Sequence, residues 1–344
     1  MNLQLGRAFR IVMQTMPYVM YRAMVYGAIC GILAIVLLFL ALIGRVFGGA
    51  AAGVLFIILL VGGGFGARLL REYVLYLLRA GHVAVMTEII ETGSLPEGVS
   101  QTQWGKEKVI AHFKEVSVLA FIDQLVKGVI KALNRRLFNI MSIFPIPGMD
   151  GAKKVVGKIV DNSLTYVDES ILAHTFRTKS ENVYSAAQSG IILYCQAWKG
   201  LLTNAVALTI LCYVSTIVCA LIFLVPLGAI AVMLPETWGF AKFGLFVLAL
   251  FMGFSLKWIL FDPIACAATI LTFLNETKDM TPDPTWNDRI ESVSSRFREL
   301  KDKAASYTTQ EAPAEPSTTE LAEDASEEPP ASAEPEEDDD TTPE

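Results

Sequence analysis

The chain has 344 residues, of which 53% are hydrophobic, and a formal net charge of −7. Length alone would allow two soluble domains, but the apolar excess is gathered into four nearly uncharged stretches, which excludes an ordinary soluble chain. The charge is an average of two unlike parts: of the 35 acidic residues, 14 lie in 304–344, where there is no Lys or Arg, so the preceding part sets all 28 basic residues against 21 acidic ones.

Arg22 and Arg45 bracket one uncharged stretch, and Arg45 and Arg68 a second. Residues 200–235 form a third, and a fourth runs from Lys242 to about Leu274, interrupted only at Lys257 and Asp262. A helix needs roughly 20 apolar residues to cross a hydrocarbon core of about 30 Å. The sequence therefore predicts an all-α integral membrane protein with four transmembrane helices in two hairpins, at 23–44, 46–67, 205–234 and 242–261, and a cytoplasmic or interfacial helical region between them. Five parts follow in chain order. Residues 1–67 hold an N-terminal interfacial helix and the first hairpin, 68–199 the helical region, and 200–275 the second hairpin. Residues 282–306 form an amphipathic docking helix and 307–344 a disordered acidic tail.

In the first hairpin, Gly27 and Gly31, then Gly49 and Gly53, then Gly62 and Gly66, repeat a four-residue spacing. Glycines at that interval share a helix face and let backbones approach closely. They pack the first span against the second, or else serve a homo-oligomer interface or a conduit.

Between Arg68 and Lys199 no alternating pattern appears, and Gly and Pro cut the region into helices over about 68–91, 102–144, 152–178 and onward from an N-cap at Ser180. In the second of these, Leu119, Ile122, Leu125, Val126, Val129, Ile130 and Leu133 recur at helical spacing. Opposite them lie Lys127, Lys131, Arg135 and Arg136, a basic face suited to anionic lipid headgroups of the inner leaflet. A helix of a soluble bundle has the same pattern.

In the second hairpin Pro226 removes a backbone donor and predicts a kink. Asn204, Thr209 and Ser215 add polarity, as packing partners or as the lining of a solute path together with Lys257 and Asp262. Counted from Lys242 at ~1.5 Å per residue, Lys257 lies about 22 Å deep and Asp262 about 30 Å, near the inner boundary. Their five-residue separation turns about 140° around a helix, which predicts that they do not pair, and Asp262-Pro263 predicts the end of the span.

Trp286, Ile290, Val293, Phe297 and Leu300 give one helix over 286–305 a single apolar stripe, which docks on this chain or on a protein partner within 286–344. Beyond Ser306 six prolines and many acids leave too little apolar surface to offset the entropy of folding.

The five cysteines form no CxxC pair and read as small core residues. His82, His112 and His174 are isolated. With no catalytic, metal or nucleotide motif in view, neither an enzyme nor a cofactor is expected, and no nucleic-acid partner. Most basic residues fall before the first span, between the hairpins and after Asn275. That distribution places both termini and the middle region in the cytoplasm, with the protein in the plasma (inner) membrane.

The stretch from Tyr166 through Ser185-Ala186-Ala187 and Asn204-Ala205-Val206 to Asp262 resembles the terminal part of choline-transporter-like membrane proteins. That resemblance implies solute transport. The chain lacks the larger span count and cysteine-rich loops of that family, so no site residue is carried over. Two functions therefore stand: a non-enzymatic scaffold acting through its cytoplasmic helices and acidic tail, or a small-solute transporter or channel component using the second hairpin.

Overall fold

The computed structural model describes residues 4–69, 75–113, 116–142 and 166–311, with backbone alone at 65–69, 116–117, 134–142, 202 and 308–311. Among the described residues every long element is helical, so the fold is all-α as expected. Met1–Ala304 forms one compact unit and Ala305–Glu344 a second, in which only the end of the last helix is described.

Helix α1 (Leu5–Gln14) leads into α2 (Met16–Phe47) through Thr15, whose hydroxyl donates to the Ile11 carbonyl at 3.1 Å. Pro17 then sits in the first turn of α2, where its missing N–H costs nothing. The α2 helix stops at Gly48, whose φ of +89° favours glycine, and α3 (Gly49–Leu69) folds back. After α4 (Tyr76–Thr92), Gly93 closes the helix in the left-handed region, its N–H bonded to the Ile89 carbonyl. Of the helix expected over 102–144, the described parts are α5 (Gln101–Phe113) and α6 (Val116–Ser142). Of the helix expected over 152–178, the described part is α7 (Val167–Thr178). The next, α8 (Val183–Gln196), is capped by Asn182, not Ser180: the Asn182 side chain accepts from the Ser185 amide at 3.0 Å.

The second hairpin is α9 (Trp198–Met233) and α10 (Gly239–Glu276). The expected carboxy-terminal helix is two helices, α11 (Pro284–Val293) and α12 (Ser295–Glu311). The break falls at Ser294, whose hydroxyl accepts the Phe297 amide at 3.3 Å and starts the new helix. Ile290, Phe297 and Leu300 are buried in the chain's own core, so the apolar stripe docks internally.

Among the described residues three helices are long and apolar enough to cross a membrane, not four: Met16–Phe47, Trp198–Met233 and Glu236–Glu276. The expected span at 46–67 corresponds to α3, whose 21 residues reach about 31 Å at 1.5 Å per residue; within it Gly49–Gly64 is the shorter apolar helix whose side chains are described. The other three outrun their expected bounds. The 36 residues of α9 and 38 of α10 reach about 54 and 57 Å, well beyond a ~30 Å core. Large side chains point outward along α9 from Ile210 to Met233 and along α10 from Phe243 to Leu260. Past that level α10 changes character: every residue from Ala265 to Leu274 is buried. This end of α10 is the centre of a helical layer, wrapped by α1, α4 and α7. The helix runs through Pro263, so it does not break at Asp262-Pro263 as expected, and α9 runs through Pro226.

A Cβ built on Gly27, Gly31, Gly49, Gly53 or Gly62 meets nothing within 4 Å, so within this chain they do not press α2 against α3; Gly66 lies outside the described side chains. The close approach is at Gly253 of α10, where a Cβ would come within 2.6 Å of the Ala220 Cα and 3.0 Å of its amide nitrogen. Backbone cannot swing aside as a side chain can, so Gly253→Ala should lower stability by about 1–3 kcal/mol. Gly31→Ala, with open space around it and a better helix former in place, should be neutral or raise stability by up to ~1 kcal/mol. Denaturant titration of the detergent-solubilised protein measures both.

Candidate functional site

The polar groups converge where the helical layer meets the bases of α2, α9 and α10. The first turn of α7 supplies Asp168 and Glu169, 8% and 3% exposed. Adjacent helical positions point in different directions, and each acid takes its own partner. Glu169 Oε1 accepts from Arg79 of α4 at 2.8 Å. Asp168 Oδ2 lies 3.1 Å from Lys127 Nζ of α6, which also donates to Asp123 one turn back at 2.6 Å. These ion pairs join α4, α6 and α7. Burial then leaves two oxygens bare: Asp168 Oδ1 and Glu169 Oε2 have no hydrogen-bond partner.

The electrostatics follow from that crowding. Burial, then Glu169, holds the Asp168 carboxyl well above the ordinary carboxylate range. Burial and the Asp168 charge push Asp123 up to about 6 against the pull of Lys127. For Lys127, burial alone would favour the neutral amine, but the two aspartates outweigh it and raise its pKa. The Glu169 charge raises that of Arg79.

A second group lies at the junction with α10. Tyr166, just before α7, donates its hydroxyl to Asp262 Oδ1 at 2.7 Å, and Lys257 donates to the same oxygen. Lys257 and Asp262 thus do pair, contrary to the helical-wheel expectation. The 140° offset describes where Cβ atoms point, and the four-carbon lysine arm wraps around the helix to cross it. Burial, then Asp262, raises the Tyr166 pKa, keeping it a donor. Nearby Arg22 of α2 is 9% exposed and interacts through space with Asp262 and Arg79.

The other residues singled out in the sequence behave differently. Thr209 and Ser215 donate to the Ala205 and Cys212 carbonyls of their own helix, at 2.9 Å each. Asn204 is buried and its Oδ1 has no partner. On α6, Lys127 is occupied by its two acids, Lys131 is exposed, and the side chains of Arg135 and Arg136 lie outside the described residues. The apolar face opposite, Leu119 to Ile130, is buried within the layer.

The three histidines pack. His82 is fully buried, stacked on Tyr18 with centroids 4.8 Å apart, its Nε2 2.8 Å from Thr15 Oγ1. Because the Thr15 proton goes to a carbonyl, Nε2 is the donor and the ring is neutral; burial, then Arg22, lowers the His82 pKa well below its usual value. His174 contacts Ser189 at 3.0 Å and is lowered to about 4 by burial and Arg177. All five cysteines are free. Among the described residues no cluster of His, Cys, Asp and Glu could hold a metal ion.

Asp123, Asp168, Glu169, Arg79 and Tyr166 did not stand out as a site in the sequence. Asp123 and Lys127 have the i, i+4 spacing of a pair, but α4 and α7 join them only through tertiary packing. No family model matches the chain, and neither a curated protein nor a solved structure does.

Removing Arg79 strands a buried carboxylate. With Arg79 itself half-exposed, Arg79→Ala should cost about 1–3 kcal/mol in denaturant unfolding, and Arg79→Ala with Glu169→Leu should recover most of that loss. Tyr166→Phe should cost about 1–2 kcal/mol by removing one hydrogen bond to a charged oxygen.

Proposed function

We propose that this chain is a non-enzymatic membrane scaffold. Its spans anchor a rigid helical layer, and the basic surface and acidic tail serve as contacts for other molecules. The observation that carries this reading is continuity: α9 and α10 run unbroken from the outward-facing apolar zone into the core of the layer. The layer is held at a fixed height and orientation, which suits presentation of a surface. In support, the hydroxyls of Thr203, Thr209, Ser215 and Thr216 are all engaged by carbonyls of their own helix, as membrane helices use them for packing.

Lys/Arg distribution argues for the layer and both termini in the cytoplasm, with the spans in the plasma (inner) membrane. Anionic lipid headgroups are partners for Lys131 and, by sequence, for Arg135 and Arg136; Lys127 contributes less, because its charge is already balanced. The bare faces of Gly27 and Gly31 fit a homo-oligomer contact. A second reading, as a small-solute transporter or channel component, draws on the partnerless Asn204 Oδ1 and the Lys257–Asp262 pair below it.

Two experiments separate these readings. A chain ending at Glu311 retains α11 and α12 with their buried stripe and loses only acidic tail. On the scaffold reading it inserts and folds normally but loses a basic protein that co-purifies with the full chain; retention of every partner rejects tail-mediated scaffolding. For transport, a cysteine at Ser215 should react with aqueous maleimide in a solute-dependent way, whereas the scaffold reading expects it inert, since Ser215 is 5% exposed.

A further inference from the structure

The cluster around Lys127 contains more negative charge than its bonds can accommodate. Three carboxylates, Asp123, Asp168 and Glu169, face two cations, Lys127 and Arg79. Glu169 has a guanidinium to itself. Asp123 and Asp168 share one ammonium, so their oxygens are at most about 6 Å apart, a separation at which like charges in a protein interior disfavour each other. Asp168 is more than nine-tenths buried and its Oδ1 accepts nothing. A small cavity, about 10 Å³, opens beside the pair, lined by Asp123, Asp168, Tyr76 and Thr175 among apolar side chains. The Tyr76 hydroxyl cannot relieve the acids, because it donates to the Leu119 carbonyl at 3.1 Å.

We infer that Asp123 and Asp168 are a proton-binding pair, holding one carboxylic proton between α6 and α7 at neutral pH, and that its release loosens the junction of those helices. With the proton bound, three acids and two cations become two anions and two cations, and the bare Asp168 oxygen belongs to a neutral acid, which is far cheaper to bury than a carboxylate. With the proton lost, two anions flank one ammonium in a space with room for little more than a single water.

The remaining groups that act on the pair do not replace that proton. From α4 come Tyr76 and Arg79, from α7 Glu169, and from α10 Cys266; Asp262 of α10 reaches Arg79. Arg22 of α2 reaches the same region. Asp262 is held by Lys257 and Tyr166, and Arg79 by Glu169. The sign follows. An aspartate whose folded form retains its proton to higher pH than the unfolded chain stabilises the fold at low pH, and that contribution fades as pH rises through the folded value. For Asp123 the window runs from the ordinary 3.8 to about 6, and burial shifts Asp168 in the same direction.

The inference is independent of the scaffold reading, since the proton is bound whatever the layer presents. The test is infrared titration of the full-length protein in detergent micelles, from about pH 5 to 9. The carbonyl stretch of a neutral carboxylic acid should be present at pH 7, shift in D₂O, fade on raising the pH, and vanish in Asp168→Asn. The midpoint of its titration should fall by about one unit or more in Asp123→Asn, which removes one of the two competing charges. Asp262→Asn should leave the band in place. Absence of the band from the unmodified protein at pH 7 overturns the inference, even if Asp168→Asn fails to fold. So does a band that neither Asp123→Asn nor Asp168→Asn alters.

Discussion

The backbone contact between α9 and α10 at Gly253 governs how the rest of the chain is arranged. With no side chain between Gly253 and Ala220, the two helices lie close enough to act as one rod through the apolar zone. The rod is longer than a bilayer core is thick, and at one end its side chains pass from outward-facing to buried. Leu201, Ala205 and Leu208 of α9 and the whole of Ala265–Leu274 of α10 are buried in that emerging part. The layer is thus built on the ends of these long apolar helices, not suspended from them by linkers. α2 joins the rod along α10, with Gly244 of α10 against Leu37 of α2.

Anchoring the layer in this way forces charges into confined places. Arg22, Asp168 and Glu169 are all at least nine-tenths buried, and neither lipid nor core solvates an ion. The chain meets that constraint by pairing across elements distant in sequence: α4 with α7, α6 with α7, and the residue before α7 with α10. Buried pairs of this kind contribute little net stability relative to apolar replacements, yet they fix register, because a misplaced helix leaves an ion without its counterion. The short helix α7 is the hub. Both acids of its first turn also sit at the positive end of the helix dipole, which favours negative charge there.

How much of this was legible in the sequence depends on which physical signal each feature leaves. Charge-free runs gave the apolar helices and their order, because burial of a 20-residue segment in one solvent leaves a long one-dimensional trace. The ends were misjudged where that trace is ambiguous. Asp262-Pro263 resembles a stop, but Pro removes one donor without ending a helix whose neighbours supply packing, and the Asp262 charge is balanced by Lys257 and Tyr166. Spacing proved a poor guide to the glycines, since Gly27 and Gly31 show which face is smooth but not what lies against it. The ion cluster left almost no trace. Asp168 and Glu169 look in sequence like ordinary first-turn acids, and only the packing of α4 and α6 over them makes them costly.

The passage of α10 from one solvent to another shows why hydropathy alone cannot place a boundary. Leucine, isoleucine and phenylalanine are apolar on either side of it, and the composition stays apolar from Phe243 to Leu274. What changes is size. The outward-facing residues of the upper part are large, such as Phe246, Phe254 and Leu260. Immediately below comes Ala265-Cys266-Ala267-Ala268, small on every face. Lipid chains fill whatever surface they meet, so large side chains are accommodated there. Three helices converging on one rod require room at its surface, and small residues provide it. The transition from bulky to small apolar residues therefore marks the level at which the outward-facing zone gives way to the buried layer, and it lies close to Asp262 and Lys257, the ion pair that Tyr166 joins.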